Sequence, residues 1–141
     1  MPEARRRTGR KLSELDFDTP TQLYKDLSSL HPLLDYWNPL GRTMIVNSGA
    51  GGWFPPHKDQ PLLTRDTFRV CAFISNNVTH DAYEWHMDGR VWPIKAGGVY
   101  YINTKKTHRT HAWKDNSLHL VMNIPKTWEN VLKLMSATLN Y

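Results

Sequence analysis

The chain has 141 residues, 40% of them hydrophobic and 22% charged, with a formal net charge of +5. This is the length and composition of one water-soluble domain, with no apolar run near the ~20 residues of a membrane span and no apolar N-terminal stretch of the signal-peptide kind. Cys71 is the single cysteine, which excludes an intrachain disulfide and a thiolate zinc cluster and leads to the expectation of a reducing, cytoplasmic setting.

Basic charge is concentrated at the start. Residues 1–11 hold Arg5, Arg6, Arg7, Arg10 and Lys11 against Glu3, and the rest of the chain nets only +1. Residues 1–18 are read as a basic, flexible tail that touches phosphates at most, so nucleic acid is not expected as a partner beyond it. Residues 19–141 form the domain. Thr19-Pro20-Thr21 opens a helix with Leu23, Leu27 and Leu30 on one stripe, and Pro32 ends or kinks it. Short runs rich in Val, Ile, Tyr, Phe and Trp then predict strands near 43–47, 53–59, 68–75, 83–87, 90–94, 98–103, 108–113 and 117–124. Asp88-Gly89 suits the type I′ turn of a hairpin. A closing helix runs from Thr127 with Trp128, Val131, Leu132, Met135 and Leu139 on one face. Eight short strands with a helix at each end predict a mainly β protein, a jelly roll of the double-stranded β-helix, cupin-like kind.

The stretch Trp53-Phe54-Pro55-Pro56-His57-Lys58-Asp59 carries the chemistry. Two prolines stiffen the backbone before a His-x-Asp pair. In an extended strand, His57 and Asp59 share one face, roughly 7 Å apart at the backbone. A third ligand comes from the remaining histidines. His31 precedes Pro32, and His80 and His86 feed the Asp-Gly hairpin. His108 and His111, three apart on one strand, point to opposite faces, and His119 lies on the last strand. His108 follows the tight loop Thr104-Lys105-Lys106-Thr107 and is taken as the distal ligand. Two imidazoles and one carboxylate make the facial triad of non-haem Fe(II) oxygenases. Arg69 shares a strand face with Cys71 and Phe73 and is expected to be partly buried, so it requires an anion, either a ligand carboxylate or a structural Asp or Glu. Trp53, Trp85 and Trp113 are candidates to line a substrate pocket.

Taken in order, GGWFPPHKDQ, FRVCAFIS, VYYINTKKTHRTHAW and SLHLVMNI resemble the 2-oxoglutarate- and Fe(II)-dependent aspartyl/asparaginyl β-hydroxylase family, which includes the cis-proline hydroxylases. The resemblance covers roughly residues 43 to 124. It implies His57, Asp59 and His108 as iron ligands and catalytic centre, and Arg69 as a residue reaching toward the 2-oxoglutarate carboxylate. Asn47 and Ser117 join Arg69 as candidate cosubstrate-binding residues. The family pattern has an arginine where Ser117 stands, two residues before His119, and here the segment from His108 is one residue shorter. Serine cannot make the bidentate contact of a guanidinium.

The leading expectation is a hydroxylase using Fe(II), 2-oxoglutarate and O2 on an amino acid or peptidyl side chain. A cupin-like metalloprotein of another reaction class would keep the triad and drop the cosubstrate. A non-enzymatic β-sandwich binding module would need neither.

Overall fold

Eight strands form two antiparallel sheets. They are β1 (Met44–Ser48), β2 (Trp53–His57), β3 (Thr67–Phe73), β4 (Tyr83–Met87), β5 (Arg90–Trp92), β6 (Val99–Ile102), β7 (His108–Ala112) and β8 (Ser117–Pro125). One sheet has the order β1-β8-β3-β6 and the other β2-β7-β4-β5. Every successive pair of strands except the β4–β5 hairpin thus crosses between sheets, which is the jelly-roll topology expected from the sequence. The computed structural model describes residues 2–59, 61–75, 78–79 and 81–138, so His80 and Leu139 lie outside it. No helix among the described residues is long and apolar enough to cross a membrane.

Alternation along the strands separates two cores. Cys71, Phe73, Tyr83, Trp85, Met87, Ile102, Ala112 and Val121 meet between the sheets. On the outer face of the β3–β8 sheet, Phe68, Val70, Ala72, Leu120, Met122 and Ile124 pack with Trp37, Leu33, Leu34 and Leu134 from two helices. Burial of each of the larger side chains contributes about 1.5–3 kcal/mol relative to exposure. Asp88 and Gly89 both take positive φ between β4 and β5, as a type I′ turn requires.

The helices depart from expectation. The N-terminal one is broken: α2 (Gln22–Asp26; α1, Pro2–Thr8, precedes it) stops at Leu27, a single 3-10 turn follows, and α3 (His31–Trp37) starts afresh. Pro32 sits in the first turn of α3, where its missing N–H costs nothing, so it begins a helix rather than ending one. A six-residue helix, α4 (Pro61–Asp66), lies between β2 and β3, where the sequence shows no helical period. In α5 (Trp128–Thr138) the expected stripe faces outward: Trp128, Leu132 and Met135 are exposed, while Asn130 is buried and Leu134 packs on the outer core. Asn130 is held by its side-chain bond to the Pro125 carbonyl, which fixes the rotation of the helix.

The tail boundary also moves. Residues 13–16 form a capped 3-10 turn that docks on the barrel: the Arg42 N–H donates to the Glu14 carbonyl at 2.7 Å. The barrel domain therefore takes in Glu14, well before residue 19.

Candidate metal centre

Pro55 and Pro56 lie at an irregularity of β2. Phe54 pairs with Thr110 and His57 with His108, so three steps along β2 match two along β7. The extra residue is a β-bulge, and proline suits it because proline cannot donate to the ladder. Regular pairing would set Pro56 opposite His108 and turn His57 to the other face; the bulge sets His57 there instead. β2 ends at His57, so Asp59 is not a strand residue as expected. Its N–H donates to the Thr104 carbonyl at 3.0 Å, which ties it to the end of β6.

His57, Asp59 and His108 offer ligand atoms that all lie within 4.8 Å of one another. Asp59 Oδ1 is 3.7 Å from His57 Nε2 and 3.9 Å from His108 Nε2, too far for hydrogen bonds and close enough to share one cation. Each imidazole is oriented through its other nitrogen. His57 Nδ1 lies 2.8 Å from the Pro55 carbonyl and His108 Nδ1 3.0 Å from the Lys106 carbonyl. A carbonyl only accepts, so both Nδ1 atoms carry the proton and both Nε2 lone pairs face the centre. Burial, reinforced by the neighbouring His57 ring, holds the His108 pKa below the usual imidazole range, favouring the neutral form that ligates. The Trp85 indole stacks on His108 with ring planes 5° apart and is itself buried, so it backs the ligand rather than lining a rim. Asp59 Oδ2 is buried and makes no hydrogen bond. Asp59 Oδ1, set beside two Nε2 lone pairs, completes a donor set that fits a small divalent cation.

Arg69 is 11% exposed and lies between two carboxylates. Its Nη2 is 3.3 Å from Asp59 Oδ2, an ionic contact without hydrogen-bond alignment, and donates to Glu14 Oε2 at 3.1 Å. The anion that its burial requires is thus supplied by the chain itself. Asn123, paired with Arg69 across β3 and β8, donates its side-chain N–H to the same Glu14 oxygen. Glu14, Arg42 and Asn123 were not among the sequence candidates; Ser13 and Asp16 form a capping-box pattern that could have marked this turn as ordered.

Two cosubstrate candidates fall away from the triad. Met44 and Val46 enter the inter-sheet core and Ile45 the outer one, so Asn47 shares the outer face with Ile45 and is exposed. Ser117 is fully buried on the inner face but lies six residues along β8 from Asn123, ~20 Å at 3.3 Å per residue. Its hydroxyl donates to the Lys114 carbonyl at the opposite end of the barrel. One reason accounts for both placements: strand phase and register decide which end and which face a position occupies.

The other histidines separate as their strand phases require. His111 points outward and stacks on Trp113 with ring centroids 3.8 Å apart, while His86, also on the outer face, pairs with Glu84. His119 is enclosed by Phe73, Tyr83 and Trp85, and burial pushes its pKa down to about 4. A cleft of about 270 Å³ opens beside His108, bordered by Pro56, His86, Gly89, Thr107 and Arg109. A larger hollow, about 370 Å³, lies under the N-terminal helices on the outer face of the other sheet, away from the triad.

No family model and no curated protein matches the sequence. The resemblance to the β-hydroxylase family therefore rests on the motifs alone. Solved structures do match in part. KdgF from Halomonas sp. is 15% identical with a TM-score of 0.45, over 60% of this chain and 69% of that one. A predicted oxalate decarboxylase from Thermotoga maritima is 19% identical with a TM-score of 0.46, over 62% and 69%. A Cupin 2 conserved barrel domain protein from Salinispora arenicola is 13% identical with a TM-score of 0.42, over 67% and 70%.

Proposed function

We propose that this protein is a mononuclear non-haem Fe(II) oxygenase acting on a small molecule or a peptidyl side chain. The observation that carries the reading is the convergence of His57 Nε2 and His108 Nε2 on one Asp59 oxygen, each ring tied to a backbone carbonyl through Nδ1. Two imidazoles and a carboxylate on one side of an ion are the donor set of this class. Iron in such a set supplies the redox chemistry of O2 activation, which no side chain of the chain supplies by itself. The protein's own part is to hold the ligands and to exclude water behind His108 with the Trp85 ring.

A second reading adds 2-oxoglutarate as cosubstrate. Its support is the Arg69 guanidinium, 3.3 Å from the Asp59 carboxylate and of the right charge for an acid ligand. In this form the cosubstrate must displace Glu14 from Arg69, and it finds no help from Asn47 or Ser117.

The test is O2 uptake by protein loaded with Fe(II) under anaerobic conditions, with and without 2-oxoglutarate, alongside a succinate assay. Uptake dependent on 2-oxoglutarate with matching succinate selects the second reading. Uptake with a candidate substrate alone selects the first. Stoichiometric metal with no uptake under either condition overturns both in favour of a metalloprotein of another reaction class.

A further inference from the structure

We propose that Glu14 is a positioning residue of the metal centre: acting through Arg69, it sets the Asp59 carboxylate, so the turn at residues 13–16 is part of the site. The inference rests on the reading of His57, Asp59 and His108 as metal ligands.

The turn is fitted to the place where it sits. Ser13 and Asp16 cap each other, the Ser13 N–H donating to Asp16 Oδ2 at 2.6 Å and Ser13 Oγ accepting from the Leu15 N–H at 3.2 Å. Gly41 takes φ +69°, and a Cβ there would collide with the backbone of Glu14 and Leu15. The Glu14 carboxylate then spends both oxygens inside the barrel end: Oε1 on Arg42, and Oε2 on Arg69 and Asn123, each at 3.1 Å. Asn123 is 1% exposed, so this contact is built into the protein rather than lying on its surface.

Charge explains what the contact does. Asp59 and Glu14 balance Arg42 and Arg69, leaving the cluster neutral. Without Glu14, two guanidiniums face one carboxylate, and the surplus positive charge lies where a divalent cation must bind. Arg69 would also be free to close on Asp59 Oδ2 and compete with the ion for its ligand. Partners that orient ligands in this way typically change metal affinity by 10–100-fold.

The test is calorimetric titration of the full chain with Mn2+, an air-stable substitute for Fe(II). Glu14→Gln should raise the Mn2+ dissociation constant about 10–100-fold. In an Arg69→Met background the same substitution should change it less than about twofold, because the guanidinium through which Glu14 acts on Asp59 is gone. Glu14→Asp, which keeps the charge with a shorter reach, should fall between wild type and Glu14→Gln; it also serves if Glu14→Gln does not fold. An unchanged constant with only a lower melting temperature, or an equal effect in both backgrounds, overturns the proposal and makes Glu14 a structural residue. His57→Ala is the control. If wild type binds no Mn2+, or His57→Ala binds it equally well, the metal reading itself fails and Glu14 falls with it. Normal wild-type binding with no Glu14 effect overturns only this inference.

Discussion

His57 stands opposite His108 because β2 carries one more residue than β7 between Phe54 and that pair. Inserting one alanine between Pro56 and His57 should therefore remove the ligand without removing the side chain, because the inserted residue takes the place opposite His108. A one-residue slip turns His57 to the other face of the strand. The insertion variant should lose Mn2+ affinity as completely as His57→Ala, while its far-UV circular dichroism stays near that of the parent. Retained affinity would show that something other than the bulge aims His57.

Most of the barrel was legible because strand signals are local. Apolar alternation and turn residues found all eight strands, and the Asp88-Gly89 hairpin follows from two residues that tolerate positive φ. His57, Asp59 and His108, read as a pair plus a histidine at a strand start, converge in the structure. What could not be read was the phase between strands. Asn47 and Ser117 were carried over by resemblance, and a single strand's phase turns one outward and sends the other to the far end of the barrel. The partner of Arg69 was equally hidden. Burial required an anion, but Glu14, 55 residues earlier in a basic segment, gives no sequence signal of its own. The face of α5 was misread because a buried Asn130 outweighs a stripe of larger apolar residues.

The two histidines of β7 give a direct check on register. His108 is buried against Trp85, whereas His111 stacks on Trp113 outside. His108→Ala should abolish stoichiometric Mn2+ binding, and His111→Ala should leave the dissociation constant within about twofold. The reverse pattern would mean that β7 presents its other face to the centre.

His119 should make stability depend on pH in a defined window. Its folded pKa is about 4, below the ordinary 6.5, because burial disfavours the charged ring. Between those values the unfolded chain binds a proton that the folded chain does not. Stability is then complete above pH 6.5 and is lost as pH falls toward 4, by about 3 kcal/mol in all. Urea unfolding of wild type and His119→Leu across pH 4 to 7 measures it. The difference between their stabilities should shrink by that amount as pH falls, and parallel curves would show that His119 is already protonated when folded.

The cosubstrate question turns on Arg69 and Ser117 together. If 2-oxoglutarate binds at Arg69, Arg69→Met removes a charge-assisted contact at similar volume. Losing one partner of a buried charged pair costs about 2–5 kcal/mol, so the dissociation constant for 2-oxoglutarate should rise ~30-fold or more in Mn2+-saturated protein. Ser117→Arg restores the residue type of the family motif, yet it should not tighten 2-oxoglutarate. Ser117 is fully buried against Lys114 and Ser48, far from Asp59 along β8. A guanidinium forced into that space overpacks it and has no anion there, which should lower stability by several kcal/mol. Tightening on Ser117→Arg would mean that the acid lies along the barrel axis and spans both ends. No loss on Arg69→Met, with no gain on Ser117→Arg, would leave Arg69 serving only Asp59 and Glu14. The centre would then be one that works without 2-oxoglutarate.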